Sequence, residues 1–379
     1  MEQKCIYSLK TTTDATFETR EHIIPACIGG MQRLPKGYVS DEVNSMFSQL
    51  ELSFARKTEI SLMRESIGPG KRGSLNPKKA TASGIGIFQN IEDFEFGLGY
   101  RKLGKPYSIN QMHIRESTGR VKFSLVPTSN LSNREVLAVF FDALREINSA
   151  TDVCVIPDER LEKSEYIFGH YDDKWNLVLN PIHCTDKAKK YVTNFVIRMF
   201  EAVENNKFIM PFNIDDVAIT QSQVSTNITL EFNYNDRYRV IAKIAFNGLA
   251  HLMGSKFVLQ SNFDPIRRAI YIGESMSCFF DAMDYDKNDS EGSFSDFITK
   301  YDAVRGQKLG DQYHGLLFFK VMNKLKCAVG LYGLDRPHII NLAENINDSV
   351  FDVFLCDWRN KQEMSMIEYI TSSMNLPKK

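Results

Sequence analysis

The sequence lacks a charge excess of either sign. Its 379 residues include 46 lysines and arginines against 47 aspartates and glutamates, which leaves a formal net charge of −1. A protein that binds nucleic acid through its overall charge would be strongly basic. Any nucleic-acid-binding face of this protein must therefore be local.

Regularly spaced cysteines and long apolar runs are also missing. The seven cysteines follow no disulfide framework and no secretory leader is evident, which predicts a reduced, cytoplasmic protein. No apolar run approaches the ~18 residues of a membrane span, so we expect no membrane association. Hydrophobic residues make up 43% and charged residues 25% of the chain, as in folded globular proteins.

The length of the chain predicts more than one domain, because single cores stop growing at about 250–300 residues. We expect a compact module at 1–66 and a basic linker rich in glycine and proline at 67–80. A central region at 81–225 mixes helix and strand patterns, and a C-terminal region at 226–379 combines a helix pair with a small antiparallel sheet. The predicted fold class is α+β.

The pattern within the first module predicts a strand, a loop, a second strand and a helix. Residues 17–24 end in two β-branched residues and are stopped by Pro25, as in a short strand. A glycine pair follows, and 34–39 form a turn and a second strand. Ser40 is a suitable helix N-cap. The helix would bury apolar residues that recur at helical spacing: Val43, Phe47, Leu50 and Phe54.

Several stretches of this module resemble the HNH endonucleases. They are Glu21-His22-Ile23-Ile24-Pro25, Gly29-Gly30, and the segment from Leu34 to Asn44, and they are most similar to the subgroup whose last motif residue is asparagine. The resemblance implies a ββα-metal fold, one bound divalent cation (Mg²⁺ or Mn²⁺) and hydrolysis of phosphodiester bonds. It assigns Glu21 and Asn44 as metal ligands and His22 as the general base.

These residue types suit that chemistry. Mg²⁺ prefers oxygen ligands and keeps several waters, so one carboxylate and one amide oxygen are sufficient protein ligands. A neutral imidazole can take a proton from the attacking water near physiological pH.

The chain departs from the subgroup at the structural zinc site. Members usually carry two Cys-x-x-Cys pairs, but here Ser8, Ser40 and Val43 occupy three of the four positions and only Cys5 remains. A closed tetrahedral zinc site needs four ligands, so we expect no structural zinc. The module must then gain stability by packing against the rest of the chain.

Basic residues are concentrated around and after the predicted helix. Between Arg56 and Lys79 the chain has seven lysines and arginines against two glutamates, and neutralised phosphates supply most sequence-independent affinity for DNA. A flexible, solubilising loop is the alternative interpretation. The candidate phosphate contacts are Arg20, Arg56, Lys57, Lys71, Arg72, Lys78 and Lys79.

The C-terminal region contains the clearest helix of the sequence, at 236–254, and a second helix at 263–273. The pair resembles the region downstream of the nuclease module in long relatives of the same subgroup. Lys243, Asn247 and His251 recur four residues apart on the first helix. They could bind a ligand, but the pattern favours the solvent face of an amphipathic helix.

Further along, 315–332 predict a β-hairpin, and a final helix is predicted near 362–374.

The leading functional hypothesis is a metal-dependent endonuclease that cleaves DNA, as an effector in defence against foreign nucleic acid. This hypothesis rests on family resemblance. One alternative is a nucleic-acid-binding or regulatory protein with weakened catalysis, suggested by the missing cysteines. Another is a nuclease gated by ligand sensing in the C-terminal region. Expected partners are DNA and either a second copy of the chain or a partner protein.

Overall fold

The computed structural model contains helices and several sheets, which confirms the predicted α+β class. It groups the chain into two compact units, one formed by Met1–Thr81 and Leu230–Lys379 and the other by Ala82–Thr229. None of the described helices is long and apolar enough to cross a membrane. The structure describes residues 3–90, 96–118, 120–126, 131–145, 153–183, 185–187, 190, 193–194, 197–198, 224–225, 232–281, 312–333, 337–365 and 367–368.

The described helices are α1 (Asp41–Lys57), α2 (Glu59–Ile67), α3 (Asn133–Arg145), α4 (Tyr234–Met253), α5 (Ser255–Val258) and α6 (Asp264–Ile272). The described strands are β1 (Gly86–Asn90), β2 (Phe96–Lys102), β3 (Lys105–Ser108), β4 (Asn110–Arg115), β5 (Arg120–Ser124), β6 (Val153–Pro157), β7 (Glu165–Tyr171), β8 (Lys174–Leu179), β9 (Val224–Ser225), β10 (His314–Val321), β11 (Lys324–Gly330), β12 (His338–Glu344), β13 (Asp352–Asp357) and β14 (Gln362–Ser365).

The first unit is organised around α4. The side chain of Asn233 caps its N-terminus by accepting from the backbone N–H groups of Asn235 and Asp236, and Gly254 ends it. Every residue from Val240 to Ala250 is buried. The helix packs against α1 of the N-terminal segment and against β10, β11 and β12, so it joins the two distant segments of the unit into one core.

The five-stranded sheet of this unit has the order β12-β11-β10-β13-β14 and is antiparallel throughout. Its β10–β11 pair confirms the predicted hairpin, and α4 and α6 confirm the predicted helix pair. The predicted final helix is wrong at its start, because Gln362–Ser365 pair with β13 as an edge strand. The rest of that prediction, apart from residues 367 and 368, lies outside the described residues.

The prediction that Lys243 and Asn247 face solvent is also wrong. Both side chains are fully buried, whereas His251 is half-buried. The physical reason is that α4 is covered by protein on more than one side. Gly248 lies so close to the sheet that a Cβ there would be 2.4 Å from Leu316 Cδ1.

Residues 67–80, predicted as a linker, belong to the first unit and contain two short 3-10 turns, Lys71–Gly73 and Pro77–Lys79. The first of these turns packs against the loop that follows Pro25. A Cβ on Gly73 would lie 2.8 Å from the carbonyl oxygen of Ala26, so the backbones touch directly.

The second unit contains two sheets, with strand orders β3-β2-β1-β9 and β5-β4-β7-β8-β6. All pairs are antiparallel except β6 with β8. Helix α3 shares a core with the larger sheet, in which the ring of Trp175 lies 5.1 Å from that of Phe140 and 4.6 Å from that of Phe168.

Candidate functional site

The Glu21-His22 dipeptide lies on a short antiparallel pair of chain segments. His22 pairs with Arg33 across the loop, and the backbone N–H of Leu34 donates to the Glu21 carbonyl at 2.8 Å. Helix α1 then starts at Asp41. The helix predicted after Ser40 is confirmed. The strands predicted at 17–24 and 34–39 are wrong, because the two segments form only one isolated backbone bridge, His22 with Arg33, and no ladder extends from it.

Two glycines allow the loop between these segments to fold closely onto its surroundings. After the 3-10 turn Ala26–Ile28, Gly29 has φ +105°, which is favourable only for glycine. A Cβ on Gly29 would lie 2.4 Å from Trp358 Cβ, and one on Gly30 would lie 1.8 Å from the Ile24 carbonyl oxygen. Larger residues would therefore displace the backbone that carries Glu21 and His22.

The C-terminal sheet fixes this loop through polar contacts. The Glu363 carboxylate accepts from the backbone N–H of Met31 at 3.1 Å. The buried His314 imidazole accepts at Nδ1 from the Tyr332 N–H, so its Nε2 carries the proton and donates to the Ile28 carbonyl at 2.9 Å. Burial lowers the pKa of His314 to about 4, and the imidazole is neutral.

The Glu21 carboxylate is buried and paired with a buried cation. Its exposed fraction is 4%, and the Lys243 ammonium donates to it at 2.5 Å and also to the Glu51 carboxylate. Burial lowers the pKa of an ammonium, but the charges of Glu51 and Glu21 exceed this effect, so the pKa of Lys243 is raised. The Lys243 Nζ also lies 5.1 Å from the Phe47 ring centroid. Burial raises the pKa of Glu21, although the charge of Lys243 opposes this shift.

The backbone of His22 is held by the same helix. The Asn247 side-chain amide donates to the His22 carbonyl at 2.9 Å, and its oxygen accepts from the Tyr7 hydroxyl at 2.7 Å. Tyr7 and Asn247 are both buried. The Asn247 amide therefore satisfies both the buried Tyr7 hydroxyl and the His22 carbonyl.

The imidazole of His22 is half-buried and neutral. Burial, assisted by the nearby charge of Arg33, lowers the pKa of His22 to about 4. The exposed Arg33 donates from Nε to His22 Nε2 at 3.1 Å. A group that approaches Nε2 must displace this guanidinium.

Asn44 lies on the first turn of α1, and its amide nitrogen donates to the Thr19 hydroxyl at 2.8 Å. This leaves the amide oxygen for another partner. Within the described residues, Glu21 and Asn44 share no hydrogen bond, and no group of three or more His, Cys, Asp or Glu residues could hold a metal ion. Glu21 and Asn44 carry the oxygen types that a hydrated hard cation takes, and in this structure the Glu21 carboxylate is bound by the Lys243 ammonium.

Cys5 packs inside the N-terminal segment of the first unit. Cys5 is fully buried, and its sulfur accepts from the backbone N–H of Ser40 at 3.4 Å. The contact ties the segment around Cys5 to the start of helix α1.

The residues predicted to contact phosphate lie in three parts of the structure. Arg20 crosses the hairpin, with Nε donating to the Leu34 carbonyl at 3.1 Å. Arg56 and Lys57 are exposed at the end of α1. The 3-10 turns Lys71–Gly73 and Pro77–Lys79 carry four exposed basic residues: Lys71, Arg72, Lys78 and Lys79. The first of these turns packs against the loop that contains Gly29 and Gly30, called the glycine loop below.

Sequence reasoning missed five residues that contact the Glu21-His22 dipeptide or support those contacts: Tyr7, Arg33, Glu51, Lys243 and Asn247. A signal for two of them exists. From Val240 to Ala250 the helix is apolar or small on every side except at Lys243 and Asn247. A helix that is apolar all round is buried, and polar residues within it need buried partners.

The arrangement combines a neutral imidazole, a buried carboxylate held by an ammonium, and exposed basic side chains near the same loop. A neutral imidazole can accept a proton from water, and basic side chains bind phosphate groups. No protein-family model, curated protein or solved structure matches this chain.

Proposed function

We propose that this protein is a metal-dependent endonuclease of the HNH type that hydrolyses phosphodiester bonds in DNA. The observation that carries the proposal is the position of His22, directly after the buried Glu21 in the sequence, on a loop that the His22–Arg33 backbone bridge closes and that precedes helix α1. In this proposal the imidazole is the general base, because the lone pair of a neutral imidazole can accept a proton from water.

Arg33 has a role in the same proposal. Its guanidinium is exposed and occupies the lone pair of His22 Nε2. A phosphate group attracts a guanidinium more strongly than a neutral imidazole does, because the bond is charge-assisted on both sides. An incoming phosphodiester would therefore draw Arg33 away and free Nε2 to accept a proton from water.

Glu21 and Asn44 are the residues that would hold the divalent cation. When bound, such a cation supplies charge stabilisation for the scissile phosphate and the leaving oxygen. Lys243 keeps the Glu21 carboxylate in one orientation. The exposed basic side chains at 71–72 and 78–79 would contact neighbouring phosphates, because the first of these turns packs on the glycine loop.

The proposal is tested with supercoiled plasmid DNA incubated with Mg²⁺ or Mn²⁺. We expect nicked and linear products from the wild type, none after EDTA is added, and a rate lower by at least about 100-fold for His22→Ala. His170→Ala is the matched control, since His170 is a half-buried histidine of the other unit. Equal rates for wild type and His22→Ala would refute the assignment of His22.

A second candidate function is nucleic-acid binding without hydrolysis. It is favoured by the finding that Glu21 and His22 Nε2 both have protein partners, Lys243 and Arg33. An electrophoretic mobility shift with intact plasmid at every metal concentration would support this function. Cleavage that depends on both metal and His22 would exclude it.

A further inference from the structure

Helix α4 contacts the Glu21-His22 dipeptide at two points. Lys243 donates to the side chain of Glu21, and Asn247, one helical turn later, donates to the backbone carbonyl of His22. These contacts span 222 and 225 residues of sequence. Each one holds a different part of the dipeptide.

We infer that Lys243 and Asn247 are positioning residues for the catalytic dipeptide, an inference that rests on the proposed nuclease function. Both side chains are 0% exposed, so neither touches substrate. Lys243 sets the orientation of the Glu21 carboxylate, and Asn247 fixes the backbone from which the His22 imidazole extends. The segment around α4 is thus part of the nuclease machinery.

Burying the ammonium of Lys243 and the amide of Asn247 costs free energy, and this cost supports a role for both residues beyond filling the core. A buried ion pair is often no more stabilising than apolar residues of similar volume, and a buried amide must satisfy both its donor and its acceptor. The other residues of the buried stretch from Val240 to Ala250 are apolar or glycine. Lys243 nevertheless meets two carboxylates, and Asn247 meets the Tyr7 hydroxyl as well as the His22 carbonyl.

The hydrogen bonds of Lys243 and Asn247 also hold each of these side chains from two directions. The Asn247 oxygen accepts from the Tyr7 hydroxyl while the amide nitrogen donates to the His22 carbonyl, so both ends of the amide have partners. Glu51 holds the Lys243 ammonium from a second direction. Groups that carry out acid–base chemistry lose rate when they move by about 1 Å, so supporting contacts of this kind affect turnover more than binding.

The test compares two full-length variants, Tyr7→Phe and Tyr7→Phe with Asn247→Leu. Tyr7→Phe removes the hydroxyl but keeps the Asn247 bond to His22, and leucine then removes that bond with little change in volume. The difference between the variants reports the Asn247–His22 contact alone. Hydrogen exchange is measured without DNA on peptides that cover residues 20–34, and steady-state nicking supplies kcat and KM per folded molecule.

We expect the double variant, but not Tyr7→Phe, to exchange about tenfold faster at 20–34, with exchange in β10 and β11 unchanged. We expect its kcat to fall by at least about tenfold, with KM within about twofold of the Tyr7→Phe value. Unchanged exchange at 20–34, or an unchanged kcat, would overturn the inference. If the wild type cleaves no DNA, the nuclease proposal fails. The exchange measurement still decides whether Asn247 holds the segment at 20–34 in place.

Lys243 is tested by the conservative variant Lys243→Arg, which keeps the buried charge and changes the geometry of its donors. A positioning role predicts a folded protein whose kcat falls by at least about tenfold with KM retained. A wild-type kcat in the folded Lys243→Arg variant would overturn the inference for Lys243. If that variant does not fold, Lys243→Gln with Glu51→Gln gives the same comparison with an amide donor to Glu21.

Discussion

The ammonium of Lys243 lies 2.5 Å from a carboxylate oxygen of Glu21 and also binds Glu51, within a core that excludes solvent from the lysine altogether. The two carboxylates come from the N-terminal segment and the ammonium comes from α4. This group of three charges, of which Lys243 and Glu21 are buried, therefore joins the segment that carries the candidate site to the C-terminal part of the same unit.

The first prediction concerns the stability that this charge group gives. Lys243→Met leaves the buried Glu21 carboxylate and the partly buried Glu51 carboxylate without a counter-charge, and breaking a buried pair in this way costs about 3–5 kcal/mol. The free energy of unfolding, measured in urea at neutral pH, should fall by this amount. Adding Glu51→Gln removes one of the two charges and should restore part of the loss. If the free energy of unfolding of Lys243→Met lay within about 1 kcal/mol of the wild-type value, the buried ion pair would be contradicted.

The second prediction concerns the glycine pair. In Gly30→Ala, the new methyl group would lie 1.8 Å from the Ile24 carbonyl oxygen, so the backbone must shift and we expect a loss of about 3 kcal/mol or more. Gly84→Ala is the matched control, because nothing lies within 4 Å of its Cβ position. Thermal unfolding of both variants is the measurement. Equal melting temperatures would show that the loop does not pass so close to Ile24.

The third prediction concerns the loss of folding stability at acidic pH. The unfolded chain takes up a proton at His314 below the ordinary pKa of about 6.5, whereas burial lowers the pKa of the folded protein's His314 to about 4. Between these values the unfolded state binds more protons, so stability falls as the pH drops from 6.5 to 4, by at most about 1.4 kcal/mol per pH unit from this residue. His22 and His338, whose pKa values are also about 4, add losses in the same window.

His314→Gln isolates the contribution of His314, because glutamine can still donate to the Ile28 carbonyl but does not titrate. We expect the variant to be less stable than wild type at pH 7 and to lose less stability on acidification. Urea unfolding at pH 7 and at pH 5 is the measurement. Identical pH dependence in both proteins would show that His314 is not held neutral.

The fourth prediction concerns the salt dependence of DNA binding. Replacing Lys71, Arg72, Lys78 and Lys79 with glutamine should weaken binding and flatten the dependence of log K on log salt. Each lost phosphate contact lowers the slope by about 0.9 for duplex DNA. Glutamine at Lys256 and Lys320, which are exposed elsewhere in the same unit, should leave the slope unchanged. An unaltered slope in the fourfold variant would exclude these turns as the phosphate-binding surface.

The fifth prediction concerns Arg33. If the exposed guanidinium binds the substrate phosphate, Arg33→Gln should raise KM for plasmid nicking by about tenfold or more, since charge-assisted bonds to phosphate are worth about 1.5–3 kcal/mol. Because the variant also uncovers His22 Nε2, kcat at saturating DNA should not fall in proportion. A fall in kcat with an unchanged KM would contradict this role.

The spacing of apolar residues along the sequence was sufficient to predict much of the secondary structure. The helix at 236–254 and the hairpin at 315–332 are predicted by periodicity and confirmed as α4 and the β10–β11 pair. Periodicity was insufficient at 362–365, where pairing with β13 makes an edge strand of a segment with a helical pattern. That choice depends on a strand that lies elsewhere in the chain, and tertiary pairing overrides local propensity.

The sequence by itself determined where the candidate catalytic residues lie along the chain. It placed Glu21 and His22 before a glycine loop and Asn44 on the following helix, because turn residues, caps and periodicity are short-range properties. Only the tertiary structure decided which groups surround them. Lys243, whose spacing with Asn247 suggested a solvent face, is instead the buried partner of Glu21. The physical reason is that burial depends on what packs against each side of a helix, and α4 is covered by segments more than fifty residues away on either side of it in the sequence.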